Sequence, residues 1–319
     1  MTSSDSIQSR FLEEIKKRLP ANLSFVDELA ELLSISRDSA YRRIRGETVL
    51  SLDEAKKLCD RYGASIDSLF GTSSNMVPFI DRSPTENYTL EQWLNSVLQN
   101  VEMLTEITYA AKDIPIFQYL RYPELAAFKL FFWQKTIIEN PEYRTVRFEP
   151  TAIPKEMIQL GNRIWTKYAA IPSVEIWAVE AINNTLKQIG FYQECGFFAH
   201  PKQASELCDH FIELMHVIQT EAAEARKTEG SSFNLYQNEI LMSDNTVFAR
   251  AGDKKISYLN YNILSLLITQ HPSFCDKTEQ YLNNLIKHST LISATAAKER
   301  IKFFTKLTGR IQTFKETLG

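Results

Sequence analysis

Residues 24–70 read SFVDELAELLSISRDSAYRRIRGETVLSLDEAKKLCDRYGASIDSLF, and this stretch decides our interpretation of the N-terminal part of the chain. Its centre, residues 37–45, is a short arginine-rich segment that the pattern predicts to be one helix. Ser36 can cap the start of that helix, because its hydroxyl can accept a hydrogen bond from a free backbone N–H of the first turn. Gly46 can end it, because glycine enters the left-handed conformation without steric cost.

The two sides of this predicted helix differ in character. Ala40 and Ile44 are four residues apart and therefore share one face, which is small and apolar and suits packing against a neighbouring helix. The other faces carry polar side chains, namely Arg37, Asp38, Tyr41, Arg42 and Arg45. A short helix with a packed underside and an arginine-rich outer side suits the major groove of DNA.

Further helices are predicted on both sides of this segment. An apolar helical face precedes it between Ser24 and a turn at 34–36, and Gly63 ends the helix that follows it. The spacing of apolar residues predicts the flanking helices over 7–19, 25–33, 53–62 and 66–70. Together with residues 37–45 these segments form a five-helix pattern.

This five-helix pattern resembles the Cro/lambda-repressor (Xre-type) helix-turn-helix family. The stretches that carry the resemblance are ELAELLSIS (28–36), RDSAYRRIRGE (37–47) and SLDEAKKLCDRYGASIDSLF (51–70). One departure is Ser34, which stands at a turn position where members often have glycine. The resemblance implies that the second helix of the motif reads base edges, while the first helix rests on the DNA backbone.

The resemblance also implies a set of DNA-binding residues. The expected base readers are Arg37, Asp38, Tyr41 and Arg42, and the expected phosphate or flanking contacts are Ser36, Arg43 and Arg45, with Ser39 in the same set. Residues 1–75 hold 11 Lys and Arg against 12 Asp and Glu, whereas residues 37–45 hold four Arg against one Asp. Because positive charge is focused on one helix, we expect few phosphate contacts per monomer and a homodimer on double-stranded DNA.

The composition is that of an ordinary soluble protein of two or three domains, since the chain has 319 residues, 44% of them hydrophobic and 24% charged. Only 10 Gly and 11 Pro are present, which favours a mostly helical fold. The four cysteines are scattered without a CxxC pair, which is typical of a reduced, cytoplasmic protein. The most apolar run, 128–138, contains lysine and is too short to span a bilayer, so no membrane partner is expected.

We therefore expect a mainly α fold, with a helix-turn-helix domain at 1–71, a polar linker at 72–87 and a helical sensor and dimerisation domain at 88–319. A small antiparallel β meander is predicted near 232–260 from strands at 233–242, 246–251 and 254–259. The other helices are predicted at 89–112, 123–138, 154–170, 173–195, 201–227, 273–288 and 294–317.

The large domain shows no catalytic constellation. The five histidines lack a paired metal-ligand spacing, and no phosphate-binding or nucleophile motif is present, so we predict neither an enzyme nor a metal or other cofactor. A group of aromatic residues could either line a ligand cavity or fill a bulky helical core. They are Tyr109, Phe117, Tyr119, Tyr122, Phe132, Trp133, Trp165, Tyr168, Trp177, Phe191 and Tyr192.

The leading hypothesis is a sequence-specific DNA-binding transcriptional regulator that acts as a homodimer and senses a small-molecule effector. A second is a regulator whose helical domain binds a peptide or protein, in the layout of the peptide-pheromone regulators. A third is an enzyme with a DNA-binding head. A closed apolar cavity would favour a small molecule, a concave groove lined by Asn and Arg would favour a peptide, and clustered titratable groups in one pocket would favour an enzyme.

Overall fold

The computed structural model describes residues 6–19, 23–64, 66, 77–81, 89–228, 230–239 and 244–318. The chain divides into two compact units, residues 1–78 and 79–319. The predicted linker at 72–87 lies outside the described residues except for 77–81, and of the predicted helix at 66–70 only Ile66 is described.

Helices make up the described part of the first unit. Their ends have clear local causes: Ser36 accepts a hydrogen bond from the Ser39 amide, and Ser51 forms a capping box with Glu54. Ser34 ends one helix with a φ of 54°, the left-handed conformation in which glycine is usual. The helices are α1 (Ile7–Lys17), α2 (Phe25–Leu33), α3 (Arg37–Ile44) and α4 (Leu52–Tyr62).

One apolar core holds these four helices together. Ala40, on the underside of α3, is completely buried, and its small side chain lets α3 approach α2 closely. The other buried members of this core are Phe11, Leu12, Ile15, Leu29, Ala30, Leu33, Ala55 and Leu58. Ile44 is half-buried and packs against the same cluster, so the predicted apolar face of α3 is confirmed.

The second unit is a mixed β-sheet with helices on both faces. Its helices are α5 (Leu90–Glu102), α6 (Ile116–Leu120), α7 (Pro123–Phe132), α8 (Lys155–Ala169), α9 (Asn183–Glu194), α10 (Gln203–Glu224), α11 (Pro272–Lys287) and α12 (Ala297–Glu316). Its strands are β1 (Ile80–Asp81), β2 (Glu106–Ala111), β3 (Ser173–Trp177), β4 (Phe233–Gln237), β5 (Thr246–Ala251), β6 (Lys254–Asn260), β7 (Leu266–Thr269) and β8 (Thr290–Leu291).

Among the described residues, eight strands form one sheet in the order β1-β7-β6-β5-β2-β3-β4-β8. The three strands β2, β3 and β4 are parallel, and each crossover between them carries helices. All other pairings are antiparallel, including the β5-β6-β7 meander that joins the sheet at β2. The sheet therefore combines a parallel centre with antiparallel strands on either side.

Alternate residues of the central strands pack into two different apolar clusters, one on each face of the sheet. Ile107 and Tyr109 of β2 pack into the large core, which also receives residues from α5 to α10 and from α12. Ala110 of the same strand points to the opposite face, where it joins a small cluster with Cys275 and Leu282 of α11. Because both faces of these strands are covered, most of their residues are apolar.

The predicted fold class, mainly α with a small meander, is wrong for the second unit, which is an α/β fold. The helix predicted at 89–112 ends at Glu102, and residues 106–111 form β2. The helix predicted at 173–195 begins instead with β3, before α9. A short, fully buried strand has the same continuous apolar pattern as a buried helix, which explains both errors.

The predicted meander near 232–260 is also wrong in its pairing. Strands do form at all three predicted places, but β4 pairs with β3 and β8 and is separated from β5 by two strands. The meander consists instead of β5, β6 and β7. Residues 240–243, between β4 and β5, lie outside the described residues.

A buried polar network lies beneath the parallel strands. The Glu175 side chain on β3 is fully buried and accepts hydrogen bonds from Gln118 Nε2 (2.9 Å) and Trp177 Nε1 (2.8 Å) as well as from the Tyr168 hydroxyl. Lys227 is equally buried and donates to the Tyr168 carbonyl (2.8 Å). Each of these side chains makes at least one buried hydrogen bond, although no described group donates to Gln118 Oε1, and together these bonds stabilise the junction of strands and helices.

We predict that Phe128→Ala lowers the free energy of unfolding of the second unit by about 3–5 kcal/mol, because the ring is completely buried at the centre of the large core. All four tryptophans of the chain lie in this unit, so tryptophan fluorescence during urea denaturation reports on it selectively. The matched control is Phe191→Ala, since that ring is 44% exposed and a loss of about 1 kcal/mol is expected. Equal losses from the two variants would contradict this description of the core.

Candidate functional site

The outer face of α3 is the first candidate site. Arg37, Asp38, Tyr41 and Arg42 all lie exposed on it, and the Tyr41 ring is 48% exposed. Arg45 follows directly after the last helical residue and is also exposed. The four residues expected to read bases therefore share one accessible surface, because Ala40 fixes the opposite side of the helix in the core.

The exposed arginines take part in weak ion pairs within the unit. Arg37 Nε lies 2.8 Å from a carboxylate oxygen of Asp27. Arg42 Nε and Arg45 Nε lie 3.8 Å and 3.3 Å from the carboxylate oxygens of Glu47. Exposed pairs of this kind contribute about 0–1 kcal/mol, so these guanidinium groups can exchange a carboxylate for a phosphate or a base edge at little cost.

Arg43 has a different environment, because its side chain is only 15% exposed and turns toward α4. Its Nη2 donates to Glu54 Oε1 (2.7 Å), its Nε donates to Oε2 (3.3 Å), and its Nη1 donates to the Ser39 carbonyl (3.3 Å). Burial acts to raise the pKa of Glu54, but the hydrogen bonds from Arg43 and Ser51 outweigh it and lower that pKa. Arg43 therefore ties α3 to α4.

Gln8 is a positioning residue that the sequence analysis did not identify. From α1 its amide nitrogen donates to the carbonyls of Arg43 (2.8 Å) and Thr48 (2.8 Å), and its oxygen accepts from the Leu50 amide (2.9 Å). These three hydrogen bonds hold the segment that follows α3. No local pattern marks this role, because the partners are about forty positions away in the sequence.

A cavity of about 620 Å³ in the second unit is the second candidate site. Its walls come from α5, the segment 114–119, α7, α9 and the β5-β6-β7 meander. Helix α7 runs directly into a π-helical turn, Trp133–Ile137, and Trp133 in that turn lines the cavity. This volume lies in the range of small-molecule sites, which are mostly apolar with a few polar groups.

Some of the aromatic residues singled out in the sequence line the cavity, and the others pack away from it. Those that line the cavity are Tyr109, Phe117, Tyr119, Phe132, Trp133 and Phe191. The rest pack elsewhere in the second unit, namely Tyr122, Trp165, Tyr168, Trp177 and Tyr192. Both interpretations of the aromatic pattern therefore apply, and for Tyr109, Tyr119, Phe132 and Trp133 they apply together, because these residues line the cavity and are also buried in the large core.

Lys129 is the principal polar group of the cavity wall, and the sequence analysis did not single it out. Its side chain is 7% exposed, and Nζ donates to Thr185 Oγ1 (2.7 Å) and Gln188 Oε1 (2.7 Å) above the Tyr119 ring. Burial lowers the pKa of Lys129 to about 7, against a smaller opposing effect of Asp113. The available indication was a lysine inside the apolar run LAAFKLFF at 125–132.

Several asparagines also line the cavity, but their side chains form hydrogen bonds with other groups of the protein. Asn245 accepts from the Asp113 amide (3.0 Å), and Asn184 donates to the Asp113 carboxylate (2.8 Å). Asn262 accepts from the amides of Leu264 and Ser265, which closes a turn between β6 and β7. These amides are therefore engaged in holding the cavity walls rather than presented to an extended peptide.

Among the described residues, no group of three or more His, Cys, Asp or Glu side chains is arranged to hold a metal ion. No described helix combines the length and the apolar character that crossing a membrane requires.

Comparison with known proteins adds no relative to this geometry: no family model matches the chain, and neither the curated proteins nor the solved structures yield a match. The residues of α3 and of the cavity are therefore the grounds for a functional proposal.

We predict that Arg43→Ala lowers the opening free energy of the first unit by about 1.5–3 kcal/mol, because it removes charge-assisted hydrogen bonds to Glu54. Arg42→Ala removes the same charge from an exposed position and is expected to change stability by less than about 0.5 kcal/mol. Hydrogen exchange of peptides within 25–62, followed by mass spectrometry, measures both. A loss at Arg42 as large as that at Arg43 would show that the two roles are assigned incorrectly.

We also predict that Lys129→Met stabilises the ligand-free second unit by about 1–2 kcal/mol at pH 6.5, because it removes a buried charge. A lysine whose folded pKa lies below its unfolded value lowers stability fully below the folded pKa, and this cost disappears as the pH rises toward the unfolded pKa. The gain should therefore shrink between pH 7 and about 10. The titratable groups facing Lys129 are Asp113 and Tyr119, and burial raises the pKa of Tyr119 and keeps it neutral throughout.

Urea denaturation followed by tryptophan fluorescence at pH 6.5 and pH 9 measures this effect. Lys187→Met is the matched control, since Lys187 is exposed on the rim of the same cavity and should give no pH-dependent gain. A gain that is independent of pH, or equal for both variants, would contradict the assignment of a buried ammonium to Lys129.

Proposed function

We propose that this protein is a sequence-specific DNA-binding transcriptional regulator in which α3 enters the major groove. The observation that carries the proposal is the division of α3 into a buried underside at Ala40 and an exposed face that bears Arg37, Tyr41 and Arg42. Arg and Lys side chains are the usual partners of guanine edges, and Arg also suits the phosphate backbone. Ser36, Asp38, Ser39 and Arg45 complete the proposed contact surface.

The arrangement of the supporting residues favours this proposal over a purely structural helix. Gln8 of α1 and the Arg43–Glu54 pair with α4 hold α3 in place. The ion pairs on the outer side of α3 are exposed and weak. A rigid helix whose cations remain exchangeable is what recognition of a polyanion needs. We accordingly propose Arg43 as a positioning residue and leave base reading to Arg37, Asp38, Tyr41 and Arg42.

We further propose that the regulator binds DNA as a homodimer. Helix α3 spans only eight residues, so one copy can reach only a short stretch of base pairs. Two copies related by a two-fold axis would contact half-sites about one helical turn, or about 34 Å, apart and would double the number of phosphate contacts.

Within this proposal the second unit is the sensor, and a small molecule is a better effector than a peptide. The cavity has apolar and aromatic walls, and its volume suits one small ligand. A peptide-binding groove would need free amide and guanidinium groups, whereas Asn184, Asn245 and Asn262 hydrogen-bond within the protein. An effector that binds two states of the protein unequally would shift the population that is competent to bind DNA.

We predict that the purified full-length protein enriches specific fragments from a pool of sheared genomic DNA. On the enriched duplex, Arg42→Ala is expected to weaken binding by about 1–3 kcal/mol, or roughly 5- to 150-fold, because it removes one base contact. Titration by fluorescence anisotropy at fixed salt concentration measures the affinity.

The matched control for this experiment is Arg61→Ala, which removes the same charge from an exposed position on α4 and should leave the affinity nearly unchanged. Absence of selective enrichment would reject the proposed function. Equal losses for the two variants would reject α3 as the reading helix.

A further inference from the structure

The cavity of the second unit contains a cation placed in unusually apolar surroundings. Lys129 lies on α7 between Phe128 and Leu130, both of which are completely buried. Its ammonium group reaches the cavity wall, where Thr185 and Gln188 of α9 accept its hydrogen bonds. Two neutral oxygens therefore hold the ammonium group at the edge of a mostly apolar space.

This ammonium group has no carboxylate partner within the part of the chain that the structure describes. Asp113 is the acidic residue that contributes to its electrostatics, but no ion pair joins the two, and the Asp113 carboxylate accepts a hydrogen bond from Asn184 instead. Elsewhere in the same unit a buried cation does have its counterion, as in the Arg121–Glu221 pair at 2.9 Å. Burial of an ion without a counterion costs several kcal/mol, which a bound anion would offset.

The other residues that line the cavity determine which chemical class of anion would fit it. Trp93, Trp133, Phe132 and Leu266 present apolar surface to the space, so the body of the ligand must be apolar. The other lysines that line the cavity, Lys112 and Lys187, are exposed on its rim and remain hydrated. One buried cation matches one negative charge, which excludes the multiply charged phosphates of nucleotides as the best fit.

We propose that the cavity binds an amphipathic organic monocarboxylate, such as a medium-chain fatty acid, with its carboxylate against Lys129 Nζ and its hydrocarbon body between the aromatic walls. Thr185 and Gln188 orient the ammonium group toward the cavity, and Tyr119 supports it from below through a cation–π contact at 4.5 Å. The regulatory consequence of this binding rests on the proposed function, whereas the binding itself does not.

The test is isothermal titration calorimetry of the full-length protein with three ligands of equal chain length: decanoate, decanol and the decylammonium ion. Decanoate is expected to bind at least about tenfold more tightly than decanol, because a charge-assisted hydrogen bond contributes about 1.5–3 kcal/mol. Decylammonium should bind most weakly, since its charge is the same as that of Lys129.

Two variants test whether the preference for decanoate over decanol depends on Lys129. Lys129→Met is expected to remove the advantage of decanoate over decanol and to leave decanol binding intact, whereas Lys187→Met should preserve the advantage. Retained decanol binding also shows that the Lys129 variant is folded. The ligand series on the unaltered protein tests the proposal even if that variant fails to fold.

Equal affinity for decanoate and decanol, absence of binding by both, or an equal loss of preference in the two lysine variants would overturn the proposal. Failure of the proposed DNA-binding function is a separate result. If no DNA fragment is enriched but decanoate binds through Lys129, the regulatory assignment fails and the ligand site stands.

Discussion

The packing of Ala40 in the core is the interaction on which the proposed DNA-binding surface of the first unit depends. A methyl side chain at this position lets α3 lie close to α2, and a larger one would force the two helices apart. Because that face of α3 is fixed in the core, Arg37 and Arg42 on the other faces point outward, whereas Arg43 turns toward α4. Gln8 and the Arg43–Glu54 pair add a second set of constraints from α1 and α4.

The second unit also combines a buried apolar core with a polar group at a candidate site. Its sheet is covered on both faces, and its large core includes buried aromatic residues such as Phe128, Phe131 and Phe211. A core of this size can tolerate one group that lowers the free energy of unfolding. Lys129 is such a group, because its ammonium group is buried without a carboxylate partner among the described residues. The place of this unfavourable group beside a cavity is the ground on which we propose a ligand there.

Local sequence patterns were informative wherever local contacts decide the structure. Ser36 caps α3 and Gly46 follows it with a φ of 76°, as the sequence predicted. The patterns gave wrong predictions where tertiary contacts decide the secondary structure. The apolar runs of β2 and β3, strands of six and five residues that are covered on both faces, were interpreted as helix. The content of β-branched and aromatic residues in EITYAA and SVEIW was the available indication of strand.

The candidate sites show the same limit. The exposed face of α3 followed from a four-residue spacing, because a helix repeats that spacing on one side. The roles of Gln8, Thr185 and Gln188 depend on partners 35 or more positions away, and no pattern along the chain records them. In the sequence Lys129 was only a lysine within an apolar run, and the cavity beside it is visible only in the structure.

The central claim is that α3 is the part of this protein that touches DNA. It is tested most directly by recording amide chemical shifts of the isotope-labelled full-length protein as an enriched duplex is added. The account predicts that the largest changes fall on residues 36–46, with smaller ones at the start of α2. Changes confined to α1, α4 or the second unit, with residues 36–46 unaffected, would contradict it.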